Sequence, residues 1–195
     1  MTQADAADVD TLGLRMKAAA EEGLANRDWH RAYEAAKSWI FGGGGAYFVD
    51  PWLVYAASAL LHRQPRIATH SLDVGLASWV ENPVDRAILH TVRGWIVLET
   101  FRDPAVALVD FDECANSVPK WLAAAHSAGR DRARAEAPKS RKRKPSVPPA
   151  PTTIKPSTAP VRVGSKVPTP GAVPGVWQAV IPHLPGMAGH DAGGR

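Results

Sequence analysis

The chain predicts an all-α fold of antiparallel helical hairpins, about seven helices, followed by a disordered, Pro-rich basic tail. Three observations carry this. Short strings recur at R-D-W-H-R-A (Arg27 to Ala32), R-Q-P-R-I-A (Arg63 to Ala68) and R-D-P-A-V-A (Arg102 to Ala107), spaced by 36 and then 39 residues, each between apolar stretches of helical length. Self-similarity at this period is the mark of stacked two-helix units. Prolines preceded by Asp, Asn or Gln punctuate the middle of the chain as helix starts, and no stretch shows sustained strand alternation with hairpin turns.

The elements follow in order. Residues 1–10 are acidic and are expected to be flexible. Leu12 to Leu24 is rich in Ala, Leu, Met, Lys and Glu, all good helix formers. A second helix is predicted over Asp28 to Ile40, capped by Asp28, with Ala32, Ala35, Ala36 and Trp39 on one face. Gly42 to Gly45 breaks it. The Gly-Lys-Ser/Thr of a phosphate loop is missing, so this is read as a loop that folds Tyr47 and Phe48 back onto the core. Asp50-Pro51, Gln64-Pro65, Asn82-Pro83 and Asp103-Pro104 each place a cap before a proline at the first helical position. They predict helices over Pro51 to His62, Pro65 to Val80, Pro83 to Phe101 and Pro104 to Asn116. A last helix starts near Ser117 to Pro119 and ends between His126 and Glu136. Connections this short make neighbours antiparallel.

The composition divides the chain. Residues 1–128 carry 11 Lys or Arg against 16 Asp or Glu, a net of −5, while residues 129–195 carry 12 against 3, a net of +9. Six of the seven Trp lie in the first part and 12 of the 17 Pro in the second. The expected organisation is therefore a flexible N-terminus (1–10), a helical domain (11–136) and a tail (137–195). The tail cannot bury enough apolar surface to offset about 1–2 kcal/mol of backbone ordering per residue, so disorder is predicted there. One apolar island, residues 175–187, interrupts it with Trp177, Val180, Ile181, Leu184 and Met187. The lone cysteine, Cys114, permits no intrachain disulfide and is read as a small buried thiol. The acidic start does not read as a secretory signal, and no stretch approaches the ~18 apolar residues of a membrane span. A cytoplasmic protein is expected, nuclear in a eukaryotic cell, where the basic run would act as an import signal.

The repeated strings also align residue by residue. After Ala32, Ala68 and Ala107, the fourth residue on is Ala36, Leu72 or Phe111, and the seventh is Trp39, Gly75 or Cys114. Pro51, Pro83 and Pro119 follow, and Ala20, Ala56 and Gly94 precede the turns. Over about residues 12–122 this pattern resembles the tetratricopeptide repeat. Trp39 and Ala36 depart from it, as if their volumes were exchanged, and the Gly-rich loop interrupts the first junction.

The resemblance implies a concave groove lined by the first helix of each pair, here Pro51 to His62 and Pro83 to Phe101. Trp52, Tyr55, Trp95 and Leu98 are its expected anchors, with Arg63, Arg86, Arg93 and His90 adding positive charge in or near it. Those helices contain no Lys and no Asn, which disfavours the subclass that clamps a peptide's terminal carboxylate. The tail motif, with Trp177, Ile181 and Leu184, reads as a docking peptide for a second protein. Lys139, Arg141, Lys142, Arg143 and Lys144 place five charges in six residues, a pattern that attracts phosphate backbones through counterion release. Lys142 to Pro148 also fits a basic ligand for proline-reading domains. No catalytic motif and no metal-ligand spacing is found, and no cofactor is expected. The expected function is a non-enzymatic adaptor or scaffold. The alternative is a nucleic-acid-associated regulatory or architectural protein anchored through the basic tail.

Overall fold

Among the described residues, seven α-helices packed in chain order form a single helical stack in the computed structural model. The structure describes residues 3–137 and 180–187. Among them there is no strand, and no helix is long and apolar enough to cross a membrane. The helices are α1 (Gln3–Ala25), α2 (Trp29–Phe41), α3 (Val49–Leu61), α4 (Pro65–Ser78), α5 (Pro83–Ile96), α6 (Pro104–Glu113) and α7 (Ala123–Glu136). Each packs on the next, and α3 also meets α5 as α5 meets α7, so α3, α5 and α7 share one layer.

Most predicted starts hold, and their caps show why. Asp28 accepts from Arg31 N (3.0 Å), Asn82 from Val84 N (2.9 Å) and Asp103 from Val106 N (3.1 Å), each satisfying a helix donor that has no partner within the helix. Three starts differ from expectation. The last helix, α7, begins at Ala123 after a 3-10 turn over Lys120–Leu122, beyond the expected Ser117 to Pro119. The first helix begins at Gln3, not Leu12, because Ala and Asp in residues 4–8 suit a helix N-terminus. The third begins at Val49, with Phe48 at its cap, so Pro51 is the third helical residue. A proline is tolerated there because the first four helix N–H groups lack acceptors anyway. Tyr47 and Phe48 stay 40% and 39% exposed; their neighbours Ala46 and Val49 enter the core instead. Gly45 makes room for the Trp39 ring, which a Cβ would approach to 2.4 Å.

The three repeated strings share one backbone conformation. Arg27, Arg63 and Arg102 have φ of 56°, 57° and 55°, the left-handed region. Asp28 N–H bonds Gly23 O (2.8 Å) and Gln64 N–H bonds Ala59 O (2.9 Å), closing each helix on itself as the next begins. The third turn is looser. A π-helical turn, Val97–Phe101, extends α5, and Asp103 N–H reaches one residue further back, to Val97 O at 3.4 Å. A left-handed Arg costs about 1 kcal/mol. Its charge beside the last carbonyls of a helix offsets part of that.

Ala32, Ala68 and Ala107 are each fully buried where the second helix of a hairpin crosses the first. At the first crossing the backbones lie close: a Cβ on Gly23 would lie 2.7 Å from Ala32 N. Leu72 and Phe111, one turn further along, fill the adjoining space and are also fully buried. Ala68→Leu is therefore expected to destabilise the fold by about 2 kcal/mol in urea unfolding, whereas Ala77→Leu, on the exposed face of the same helix, changes it by less than about 0.5 kcal/mol.

At the N-terminal ends of α3 and α5, burial and the neighbouring Asp50 push the Asp85 carboxyl up to about 6, and burial also raises Asp50. A carboxyl raised in the folded state binds its proton there first. The contribution of Asp85 to folding is thus fully present below the ordinary Asp range and is lost as pH rises from about 4 to about 6. For a half-buried carboxyl the effect is on the order of 1 kcal/mol after solvent screening. Asp85→Asn should flatten this part of the stability profile in urea melts at pH 4 and pH 7.

Candidate functional site

The tail segment Val180 to Met187 lies on the helical stack, against the layer that contains α3 and α5. Val180, Leu184 and Met187 are buried, at most 2% exposed, and Ile181 packs partly on the same core. The segment makes one 3-10 turn, Ile181–His183, which touches α3. His183 meets Trp29 at the start of α2, edge to face, with ring centroids 4.7 Å apart. Gly186, at φ +68°, lies directly on the Trp95 indole: a Cβ there would fall 2.0 Å from Trp95 Cε3. Neither a side chain nor an ordinary backbone angle fits at this position.

This placement answers the expectation for Ile181 and Leu184. Both sit on the chain's own head, Leu184 deeply, so here they serve an intramolecular contact. Trp177 and the basic cluster Lys139, Arg141, Lys142, Arg143 and Lys144 lie outside the described residues, as do the proline-reading motif and the rest of the tail.

The expected groove anchors are placed differently from prediction. Trp52 is fully buried and its Nε1 donates to Ala46 O (2.8 Å). Leu98 is fully buried as well. Trp95 is 5% exposed, its Nε1 donates to Ala125 O (3.1 Å) on α7, and one ring face carries Gly186. An indole that finds its acceptor inside the fold stabilises the core and is no longer an open anchor. Tyr55 remains half-buried at the surface. It stacks on Tyr33 of α2 (centroids 4.5 Å) and the two hydroxyls share a 2.8 Å hydrogen bond. Burial, then the Tyr33 bond, raises its hydroxyl pKa. Trp29 lies one helical turn from Tyr33, so an aromatic strip runs beside the docked segment. Trp29 and Tyr33 sit on α2, the second helix of its pair, whereas the repeat pattern places a groove on the first helices, α3 and α5.

The predicted positive patch is engaged internally. Arg86 donates through Nη1 to Leu76 O (2.5 Å) and Val80 O (3.1 Å), tying down the end of α4. Arg93 donates through Nε to both oxygens of Asp110 (2.9 and 3.0 Å) and also pairs with Asp73. Asp110 is fully buried and accepts a further bond from His90 Nδ1 (3.0 Å). This Asp73–Arg93–Asp110–His90 network joins α4, α5 and α6. No sequence spacing foreshadowed it, because its members lie 17 to 20 residues apart on different helices. Arg63 is exposed at its turn.

His90 Nε2 is buried and without a hydrogen-bond partner, at a cavity of about 180 Å³ lined by Pro83, Arg86, Ala87, Glu113, Cys114 and Ser117. The Cys114 thiol there is pushed up to about 11 by burial and bonds Asp110 O (3.3 Å). It is protonated at neutral pH and supplies no nucleophile.

Compared with known proteins, the chain matches no family model, no curated protein and no solved structure.

Asp110 accepts hydrogen bonds from both Arg93 and His90 in the interior. Asp110→Asn leaves a partly buried guanidinium short of its counter-charge, and is expected to cost about 3 kcal/mol in urea unfolding. Asp73→Asn, at the half-exposed end of the same network, should cost less than about 1 kcal/mol.

Proposed function

We propose that this chain is a non-enzymatic adaptor of the tetratricopeptide-like kind, whose helical head grips a short apolar peptide on the face built by α3, α5 and the start of α2. The observation that carries this reading is the seating of residues 180–187 on that face, with Leu184 and Met187 each 2% exposed. A surface that buries a short, proline-containing segment by side-chain packing has the chemistry of a peptide site. Support for the repeat comes from the three turns with left-handed Arg and from the buried Ala in each. The basic run Lys139 to Lys144 favours the second reading, nucleic-acid association through the tail, in which the head mediates assembly.

Crosslinking in native extract tests both readings. The full chain and a chain ending at residue 137 are compared, and captured proteins are identified by mass spectrometry. Under the adaptor reading the shorter chain keeps at least one partner and Trp29→Glu loses it. No partner above background would sink this reading. Under the second reading the full chain is retained on DNA or RNA at low salt, with a log–log salt slope of up to about −4, and changing the five basic residues to Ser abolishes retention. Salt-independent behaviour would remove it.

A further inference from the structure

We propose that residues 180–187 are a displaceable ligand held by their own head, and that the external partner is a peptide of the same chemistry. That chemistry is two aliphatic residues, a proline, an imidazole or other aromatic ring, then Leu-Pro-Gly and a long flexible apolar residue. The proposal rests on the adaptor reading and adds the ligand class and the regulation of the site.

Consecutive helices α1 to α7 pack on one another, each through its neighbour in sequence. The segment belongs to no hairpin. Residues 138–179 separate it from the end of α7, a stretch whose extended length, roughly 140 Å, far exceeds the reach the docking needs. Its backbone bonds are local, Leu184 N–H to Ile181 O (3.1 Å) and Met187 N–H to Leu184 O (3.2 Å). Docking is thus made by side chains, as in a bound peptide, with Val180, Leu184 and Met187 entering the core and Ile181 covering its edge.

Two contacts give the site its selectivity. Trp95 offers a flat ring face that accepts only a residue without Cβ, and Gly186 supplies it at φ +68°. Trp29 offers an edge-to-face partner for a ring two residues after the 3-10 turn begins, where His183 stands. Aromatic platforms of this size are what binding energy concentrates on. A ligand on the same chain meets the site intramolecularly, so it excludes weaker competitors and yields only to tighter or more concentrated ones. The occupied site is then a closed state, and a partner peptide opens it.

The test uses the full chain and a fluorescein-labelled synthetic peptide of residues 175–189, read by anisotropy. Leu184→Asp combined with Met187→Asp should release the segment, and this chain should bind the peptide at least tenfold tighter than wild type. A peptide carrying Gly186→Val should not bind, and adding Trp29→Ala to the released chain should weaken binding about tenfold. A second form guards against a folding artefact. A protease site is inserted after Lys155 in the full chain, the chain is cut, and the two parts are diluted and separated by gel filtration. The proposal expects the fragment to leave and the head to keep its cooperative helical unfolding and bind the labelled peptide. A head that unfolds when the segment is removed by either route would make the segment a core element and overturn the proposal. So would a folded, emptied head that ignores the peptide. Peptide binding without any protein captured from extract would sink the adaptor reading alone; capture without peptide binding would sink this inference alone.

Discussion

Three fully buried alanines, where each second helix packs on the one before it, organise this molecule. Ala32, Ala68 and Ala107 have no exposed surface, and each lies five residues after an Arg in the left-handed conformation. The two features depend on each other. The left-handed residue reverses the chain within a few residues, which brings the second helix back along the first. The small residue then lets the two lie close enough for dispersion contacts along their length. A larger side chain at the crossing would separate the helices and loosen the layer that α3 and α5 present.

Stacking successive hairpins needs more than apolar contact, because α5 is enclosed by neighbours and carries polar groups. Asp110 resolves this. It draws Arg93 and His90 of α5 onto α6, while Arg93 reaches on to Asp73 of α4. A buried carboxylate is costly unless its lone pairs are met, and here three donor nitrogens meet them. The network therefore sets how α4, α5 and α6 lie against one another, more than it adds to net stability. It also removes Arg93 from any role in a groove.

The aromatic residues divide by the position of their polar atom. Trp52 and Trp95 find backbone acceptors inside and become core. Tyr33 and Tyr55 pair their hydroxyls with each other at the surface, and Trp29 packs partly on the core while meeting the His183 ring of the docked segment. The face on which residues 180–187 lie thus combines the half-buried Trp29 of α2 with a Trp95 ring face that Gly186 covers.

Local interactions made much of the fold legible. Caps before prolines located α4, α5 and α6, Asp28 located α2, and the spacing from Arg to Ala located the hairpin turns and the tightest crossings, since turn and cap preferences operate within four or five residues. The start of α3 was misplaced because a proline is acceptable anywhere in a first turn. Side-chain destinations were decided only by tertiary structure. Whether Trp52 faces a groove or the core depends on Ala46, and whether Arg93 is free depends on Asp110, residues whose proximity no helical period encodes. The same holds for the apolar island. Its composition announced that it would bury itself somewhere, but a ring face on Trp95 shaped for Gly186 is assembled by distant parts of the chain, so only the folded molecule named the place.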